Sequence, residues 1–458
     1  MKIDTAMLCI PCGLRAVFVL YYGIFLPRAV TVYLGRFLEE KNEKNGKFLF
    51  FVAAVVMMSF AFVGCGGSSG SEAKLVYWTM WNEAEPQGMV IAEAVEAFTA
   101  ETGIDVEVNF NGREIRKTLQ PALDAGEAID IFDEDIERVL NTWGNYLLPL
   151  DEYVAKSYST TGGQPYGSVV NQTLLNLAKE LGGGSIRNIP YQPSAFVTMY
   201  NKDLFAKAGI TSVPTNWNEF LAACEKLKAI GVYGITVDDA YMAALFGYCM
   251  DRMVGKEVTA AMVKNNDFTG PQVLEFGKMW EEMAKKGYIS PNAASNIYPA
   301  GQVEEIATGK VAMYLNGTWL PNEIKGNAPN INWGSFAWPA IAPGGDGPEA
   351  NNFGGQSFGI NKNTKYPEEA FQLVVWLTTG EWDAKLAQES IGIPAANASE
   401  WPAQLKDAKA IVDNTTTRLP WAVGMEDNPE INAKIKENFA KLIKGELNAA
   451  SFAEAMKK

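Results

Sequence analysis

The residues best equipped for chemistry are carboxylates, and they fall in two groups. Glu83 follows Trp81 and Asn82 just after an apolar run, and Asp133, Glu134 and Asp135 stand together further along. Two carboxylates flanking a glycosidic bond suffice for glycoside hydrolysis, and the same groups can hold sugar hydroxyls without reacting. Little other catalysis is open. The chain has no histidine, which removes Ser-His-Asp and Cys-His mechanisms and every metal site built on imidazole. Gly301 to Lys310 has the wrong spacing for G-x-x-x-x-G-K-S/T and is followed by Val311, so phosphoryl transfer has no cradle. The acidic triplet lacks the spacing and glycine of an EF-hand, and Cys9/Cys12 has no second pair to complete a zinc site. No metal or cofactor is expected. A net charge of −14 argues against nucleic acid. The 12 tryptophans and 17 tyrosines supply planes on which sugar faces stack, though most aromatic side chains serve a core.

Those residues need elements to position them. Lys74 to Thr79 (KLVYWT) reads as a buried strand. Met89 to Thr102 is apolar at helical spacing and ends at Gly103. Ile104 to Phe110 alternates as a second strand, Arg113 to Ala125 is helical, and Ala128 to Phe132 is a third strand. The order β-α-β-α-β implies a parallel sheet with helices on its faces, whose ligands bind beyond the carboxyl ends of strands. The loops after Thr79 and Phe132 therefore carry Trp81, Asn82 and Glu83, and Asp133 to Asp135. The bland alternatives are that Asn82 caps a helix, Trp81 packs under its loop and the triplet is a solvated turn. Further on, helices are expected at Trp217–Ile230, Val273–Lys286, Val303–Thr308 and Glu430–Ile443, with short strands at Gly234–Val237, Val311–Leu315 and Ser357–Ile360. A length of 458 residues exceeds one ordinary core, so two lobes are the default.

The amino-terminal part carries a different signal. Phe48 to Gly64 is an unbroken apolar run preceded by Lys41, Lys44 and Lys47. It ends in Phe62-Val63-Gly64-Cys65, followed by a Gly/Ser stretch. This resembles a bacterial lipobox, with Phe62 where leucine is usual. The resemblance implies lipidation of Cys65, a leader over residues 1–64 and a flexible tether over 65–73. A membrane-anchoring helix is the alternative. A second apolar run, Ala16 to Leu26, fits no export signal: translation is expected to begin near Leu38, leaving 1–37 outside the protein, and a two-span amino terminus is the alternative. Cys224 and Cys249 could form one disulfide or remain two buried thiols.

Several blocks then follow in one order: VYWTMWNE (76–83), AFTAETGIDVEV (97–108), DAGEAIDIFDED (124–135), IPYQPSAFVTMYNKDLFAKAGI (189–210), VPTNWNEFLAACEKL (213–227), GKVAMYLNGTWLPNEI (309–324) and FGGQSFGINKNTKYPEEAFQLVVWL (353–377). Together they resemble the extracellular solute-binding protein family 1, the sugar receptors of ABC importers that include maltose-binding proteins. The resemblance covers nearly all the chain after the tether. It implies an α/β fold of two lobes, each a mainly parallel sheet flanked by helices, hinged by strands that cross between them. The expected first lobe is 74–196 with 358–410, and the second is 197–357 with 411–458. Crossings are expected near Phe196–Tyr200, Gln356–Ile360 and Ala410. The implied contacts are Trp81, Asn82, Glu83, Asp133 and Asp135 from the first lobe. Asn316, the stacking tryptophan Trp319, Trp338, Gly355 and Gln356 are implied from the second lobe and hinge, with Tyr191 at the first crossing. The implied function is non-enzymatic. A monomeric carbohydrate receptor, lipid-anchored at the outer face of the cell membrane, would hand its sugar to permease subunits served by a cytoplasmic ATPase. The rivals are a hydrolase using Glu83 with Asp133, and a sugar sensor or adhesin without transport.

Overall fold

Alternating burial makes Lys74–Thr79 the first strand, β1, with Leu75, Tyr77 and Thr79 inward. The computed structural model describes residues 73–457. Cys65, the leader, most of the Gly/Ser tether and the Cys9/Cys12 pair lie outside them. Helix α1 (Pro86–Thr102) opens with proline and stops at Gly103, which takes a left-handed φ of 74° that costs glycine nothing. Strand β2 (Asp105–Phe110), helix α2 (Ile115–Ala125), strand β3 (Ile131–Asp135) and helix α3 (Ile136–Trp143) follow. β1 pairs in parallel with both β2 and β3, as the order of elements requires.

The crossing strands run differently. β4 (Ile189–Ala195) and β9 (Ala350–Ile360) are antiparallel to each other, and β9 is antiparallel to β3. In the second sheet the order is β6-β7-β5-β8, formed by β5 (Thr198–Asn201), β6 (Tyr233–Thr236), β7 (Val311–Leu315) and β8 (Trp333–Phe336). Only β6 and β7 are parallel there, while β5 is antiparallel to β7 and β8. Both sheets are thus mixed, because strands that arrive from the other lobe take their direction from the crossing and not from a crossover helix.

Two large apolar cores divide the described residues, with a small third cluster at Ile136, Leu177 and Ala178. One gathers residues between Ala73 and Tyr191 with Phe358 to Ala395. The other takes Ala195 to Phe353 and returns at Leu405, Val412, Leu419 and Phe439. The helix Lys406–Asn414 (α4) packs on β8, so the third crossing precedes Leu405 and does not fall near Ala410. The first two crossings are pinned by hydrogen bonds. Phe196 N donates to Asn352 O at 3.0 Å, and the Tyr248 hydroxyl accepts from Asn352 N at 2.8 Å while donating to Phe196 O at 3.3 Å. The expected helix over Val303–Thr308 is a π-helical segment at Gly301–Ile306. Cys224 and Cys249 are both buried and unbridged.

Candidate functional site

A cavity of about 890 Å³ lies between the two sheets, lined by first-core elements on one side and second-core elements on the other. The first wall rises from the loop after β1. Trp81 is nearly buried, and its indole Nε1 donates to the Tyr191 hydroxyl at 2.7 Å. The Arg113 guanidinium sits 4.7 Å from the centre of the Trp81 ring, a cation–π placement that holds the ring's other face. Arg113 also grips Glu85 through both terminal nitrogens, at 3.0 and 2.9 Å, and reaches Met80 O at 2.6 Å. Asn82 turns away to Glu85, its backbone N–H donating at 2.6 Å. Asn82 and Glu83 are exposed and lie outside the cavity lining.

The acidic triplet is not a loop. Asp133, Glu134 and Asp135 belong to β3, whose pairing with β9 continues to Asp135 opposite Gln356. Asp133 is fully buried and accepts four hydrogen bonds: from Met80 N at 2.7 Å, Tyr77 Oη at 3.0 Å, Thr79 Oγ1 at 3.2 Å, and Tyr191 Oη. It lies beneath the cavity floor and cannot meet a ligand. Tyr191 is equally buried and stacks on Phe358, with ring centres 4.1 Å apart. Its role is to connect Asp133 to Trp81. Asp135 does reach the cavity, where it caps α3 by accepting from Glu137 N at 2.9 Å and Arg138 N at 3.3 Å. Glu134 also reaches it, as do Arg116 from α2 and Arg138 from α3.

The second wall is aromatic. Trp319 and Trp421 stand with ring centres 5.9 Å apart, backed by Phe196, and Tyr241 lies beside them. Gly317 is required there, because a Cβ on it would collide with the six-membered ring of Trp319. Gly355 lines the cavity where β9 meets β4, and a Cβ on it would stand 2.8 Å from Gln192 O. Beside it, Gln356 Oε1 is buried with no hydrogen-bond partner among the described residues. Trp338 is core: it packs against Phe220 at 5.2 Å and Trp217 at 6.2 Å, fully buried. Asn316 is also fully buried, against Tyr241, and its backbone pairs with Val197 across the first crossing.

Of the eleven residues singled out in the sequence, Trp81, Asp135, Trp319, Gly355 and Gln356 line the cavity, while Asn82, Glu83, Asp133, Tyr191, Asn316 and Trp338 do not. Sequence reasoning missed Tyr241, Trp421 and the arginines. Trp421 stands just past β10 (Thr417–Leu419) as Trp81 stands past β1, so the same rule would have found it had a strand of three residues been legible.

The model of the bacterial extracellular solute-binding protein family matches residues 83–384. A binding protein of Brucella abortus (strain 2308) is 32% identical over 227 residues, covering 46% of this chain and 51% of that protein. The multiple sugar-binding protein of Streptococcus mutans is 24% identical over 207 residues, covering 42% of this chain and 47% of the relative. The chain thus spans about half the length of these two relatives. The melibiose/raffinose/stachyose-binding protein MelE of Bacillus subtilis is 22% identical over 311 residues, 65% of this chain and 69% of MelE. Among solved structures, a chitin oligosaccharide binding protein superposes with a TM-score of 0.62 at 22% identity, over 84% of this chain and 97% of that one. The GacH receptor of Streptomyces glaucescens gives 0.59 at 19% identity, over 84% and 96%. These likenesses establish the fold.

Burial pushes Asp133 up to about 6, outweighing the four donors that favour its ionised form. Unfolded, an aspartate titrates at about 3.9. Between about pH 4 and 6 the folded state therefore holds the more protons, and this group's contribution to stability is lost as pH rises. Asp133→Asn, which does not titrate, should gain on the parent by on the order of 2 kcal/mol between about pH 4 and 7 in urea unfolding. Parallel pH profiles for the two proteins would contradict the assignment.

Proposed function

Because the chain belongs to the bacterial extracellular solute-binding protein family, we propose that it captures a carbohydrate between its lobes and delivers it to the permease of an ABC importer. The observation that carries this reading is the cavity itself: Trp319, Trp421 and Tyr241 on one wall, and Trp81 with charged and amide groups on the other, contributed by different lobes. Sugars present apolar faces and hydroxyl edges, which these two walls suit. A ligand touching both walls would favour the closed arrangement of the lobes by its contacts with each. Trp319, Trp421, Trp81, Gln356, Asp135 and the backbone at Gly355 are the contacts of this reading.

The reading is non-enzymatic. The pair that a hydrolase would have used, Glu83 with Asp133, is not assembled: Glu83 is exposed outside the cavity and Asp133 is sealed beneath it. The receptor is further proposed to act as a monomer at the outer face of the cell membrane, lipid-anchored through Cys65. Relatives that bind melibiose, raffinose and stachyose or multiple sugars support the ligand class.

A thermal-shift screen of mono- and oligosaccharides tests the ligand class. A true ligand at a hundred times its Kd stabilises the folded state by about 2.7 kcal/mol, and a panel without any shift would sink the proposal. With that ligand, Trp319→Ala should raise Kd about tenfold, the loss of one stacked face, whereas an unchanged Kd would remove Trp319 from the contacts. Replacing the anchor residue, Cys65→Ala, should move the protein from the membrane fraction to the soluble or medium fraction of expressing cells. Retention at the membrane would favour the apolar run as a helical anchor.

A further inference from the structure

Four arginines line the first wall and its hinge edge, and they are not equivalent. Arg113 spends both terminal nitrogens on Glu85 and Met80 O. Arg418 gives Nη2 to Glu137, and its Nε donates to Phe353 O at 2.9 Å. Arg116 and Arg138 are held otherwise. Both reach the same carboxylate through Nε: Arg116 to Glu134 Oε1 at 2.5 Å and Arg138 to Glu134 Oε2 at 3.3 Å. Glu134 is wholly buried, while the two arginine side chains remain 44% and 41% exposed. Glu134 Oε2 accepts a hydrogen bond from Asp135 N at 2.7 Å, with Arg138 Nε beside it as an ion-pair partner.

Two consequences follow from that geometry. One carboxylate faces two guanidiniums, so the trio carries a net positive charge in the cavity wall. The Nη atoms of Arg116 and Arg138, which form the outward end of each planar fork, make no hydrogen bond among the described residues. A guanidinium fork fits the paired oxygens of a carboxylate or phosphate, and anchoring through Nε removes much of the entropy that a free arginine would lose on binding. A neutral sugar offers such a fork no charged partner and so draws less from these donors than an anionic group does. The opposite wall has carboxylates of its own, Glu323, Glu426 and Asp427; Glu323 accepts from the Tyr298 hydroxyl at 2.9 Å and Glu426 from Trp421 Nε1 at 2.8 Å, so the two forks are the part of the cavity that offers an anion charged donors.

We propose that Arg116, Glu134 and Arg138 form an anion subsite of the cavity, and that the saccharide this protein takes carries a carboxylate or phosphate group. The anionic group docks on the first lobe while the sugar ring lies against Trp319 and Trp421. This inference rests on the saccharide-receptor reading and names the ligand's chemistry within it.

Calorimetry on the full-length protein separates the two. The probes are matched pairs that differ in charge: uronate disaccharides, including digalacturonate and dimannuronate, each against its methyl ester, and hexose 6-phosphates, each against the free hexose. At least one anionic member should bind about tenfold or more tighter than its neutral counterpart, and whether that member is a uronate or a phosphate identifies the group. Removing both guanidiniums would strand a buried carboxylate, so the variant is Arg116→Lys with Arg138→Lys, which keeps the charge near Glu134 and loses the forks. It should cut the anion's advantage about tenfold while leaving neutral saccharides within about twofold. Neutral saccharides binding as well as anionic ones, or losing as much affinity in the lysine variant, would overturn the subsite and leave the receptor reading standing. No binding by any saccharide, charged or neutral, would overturn both.

Discussion

A buried carboxylate organises the first lobe. Asp133 is inaccessible to water and survives there only because its oxygens meet four donors, drawn from β1 (Tyr77 and Thr79), from the backbone just past it (Met80) and from β4 (Tyr191). Taking those donors away would leave a desolvated charge, which costs several kcal/mol by order of magnitude. The arrangement therefore fixes where β1 ends relative to β3, and how the first crossing strand lies on both. Trp81 inherits its position from this network, because its indole nitrogen is hydrogen-bonded to the same tyrosine that donates to Asp133. The cavity wall is thus set from beneath by a residue that never touches what the cavity holds.

The neighbouring carboxylate works on the other face of the strand. Side chains alternate along β3, so Asp133 points into the sheet's interior network while Glu134 gathers Arg116 and Arg138 at the cavity, and Asp135 caps α3. Three consecutive acids thereby do three separate structural jobs. Across the cavity the constraints are steric. Gly317 makes room for Trp319, and Gly355 lets β9 pass close to the backbone of β4. The crossings are tied by the Tyr248 hydroxyl, which bridges Phe196 O and Asn352 N and so links the two chains that run between lobes.

How far this could be read in advance depended on whether a signal was local. β1, α1 and β2 were legible because alternation and helical spacing lie within a few residues. The acidic triplet read as a loop because carboxylates are depleted in strands; what overrides that preference is pairing with β9, more than two hundred residues away by number. Trp319 and Trp338 are the same residue type in similar company, and only packing against Phe220 and Trp217 consigns the second to the core. The sequence places the third crossing near Ala410 because α4 has no local mark of the lobe it joins, whereas Leu405 and Val412 commit it to the second core. The arginine wall was invisible for the same reason. Arg116 and Arg138 meet at Glu134 only once two helices are set on one strand.

A saccharide gripped by both lobes at once must change how they stand to each other. Small-angle X-ray scattering with and without a stabilising saccharide tests this most directly. A ligand bridging Trp319 and Trp421 on one wall and Gln356 and Asp135 on the other should draw the lobes together and reduce the radius of gyration at saturation. Identical scattering from the free and saturated protein would contradict a ligand held between them.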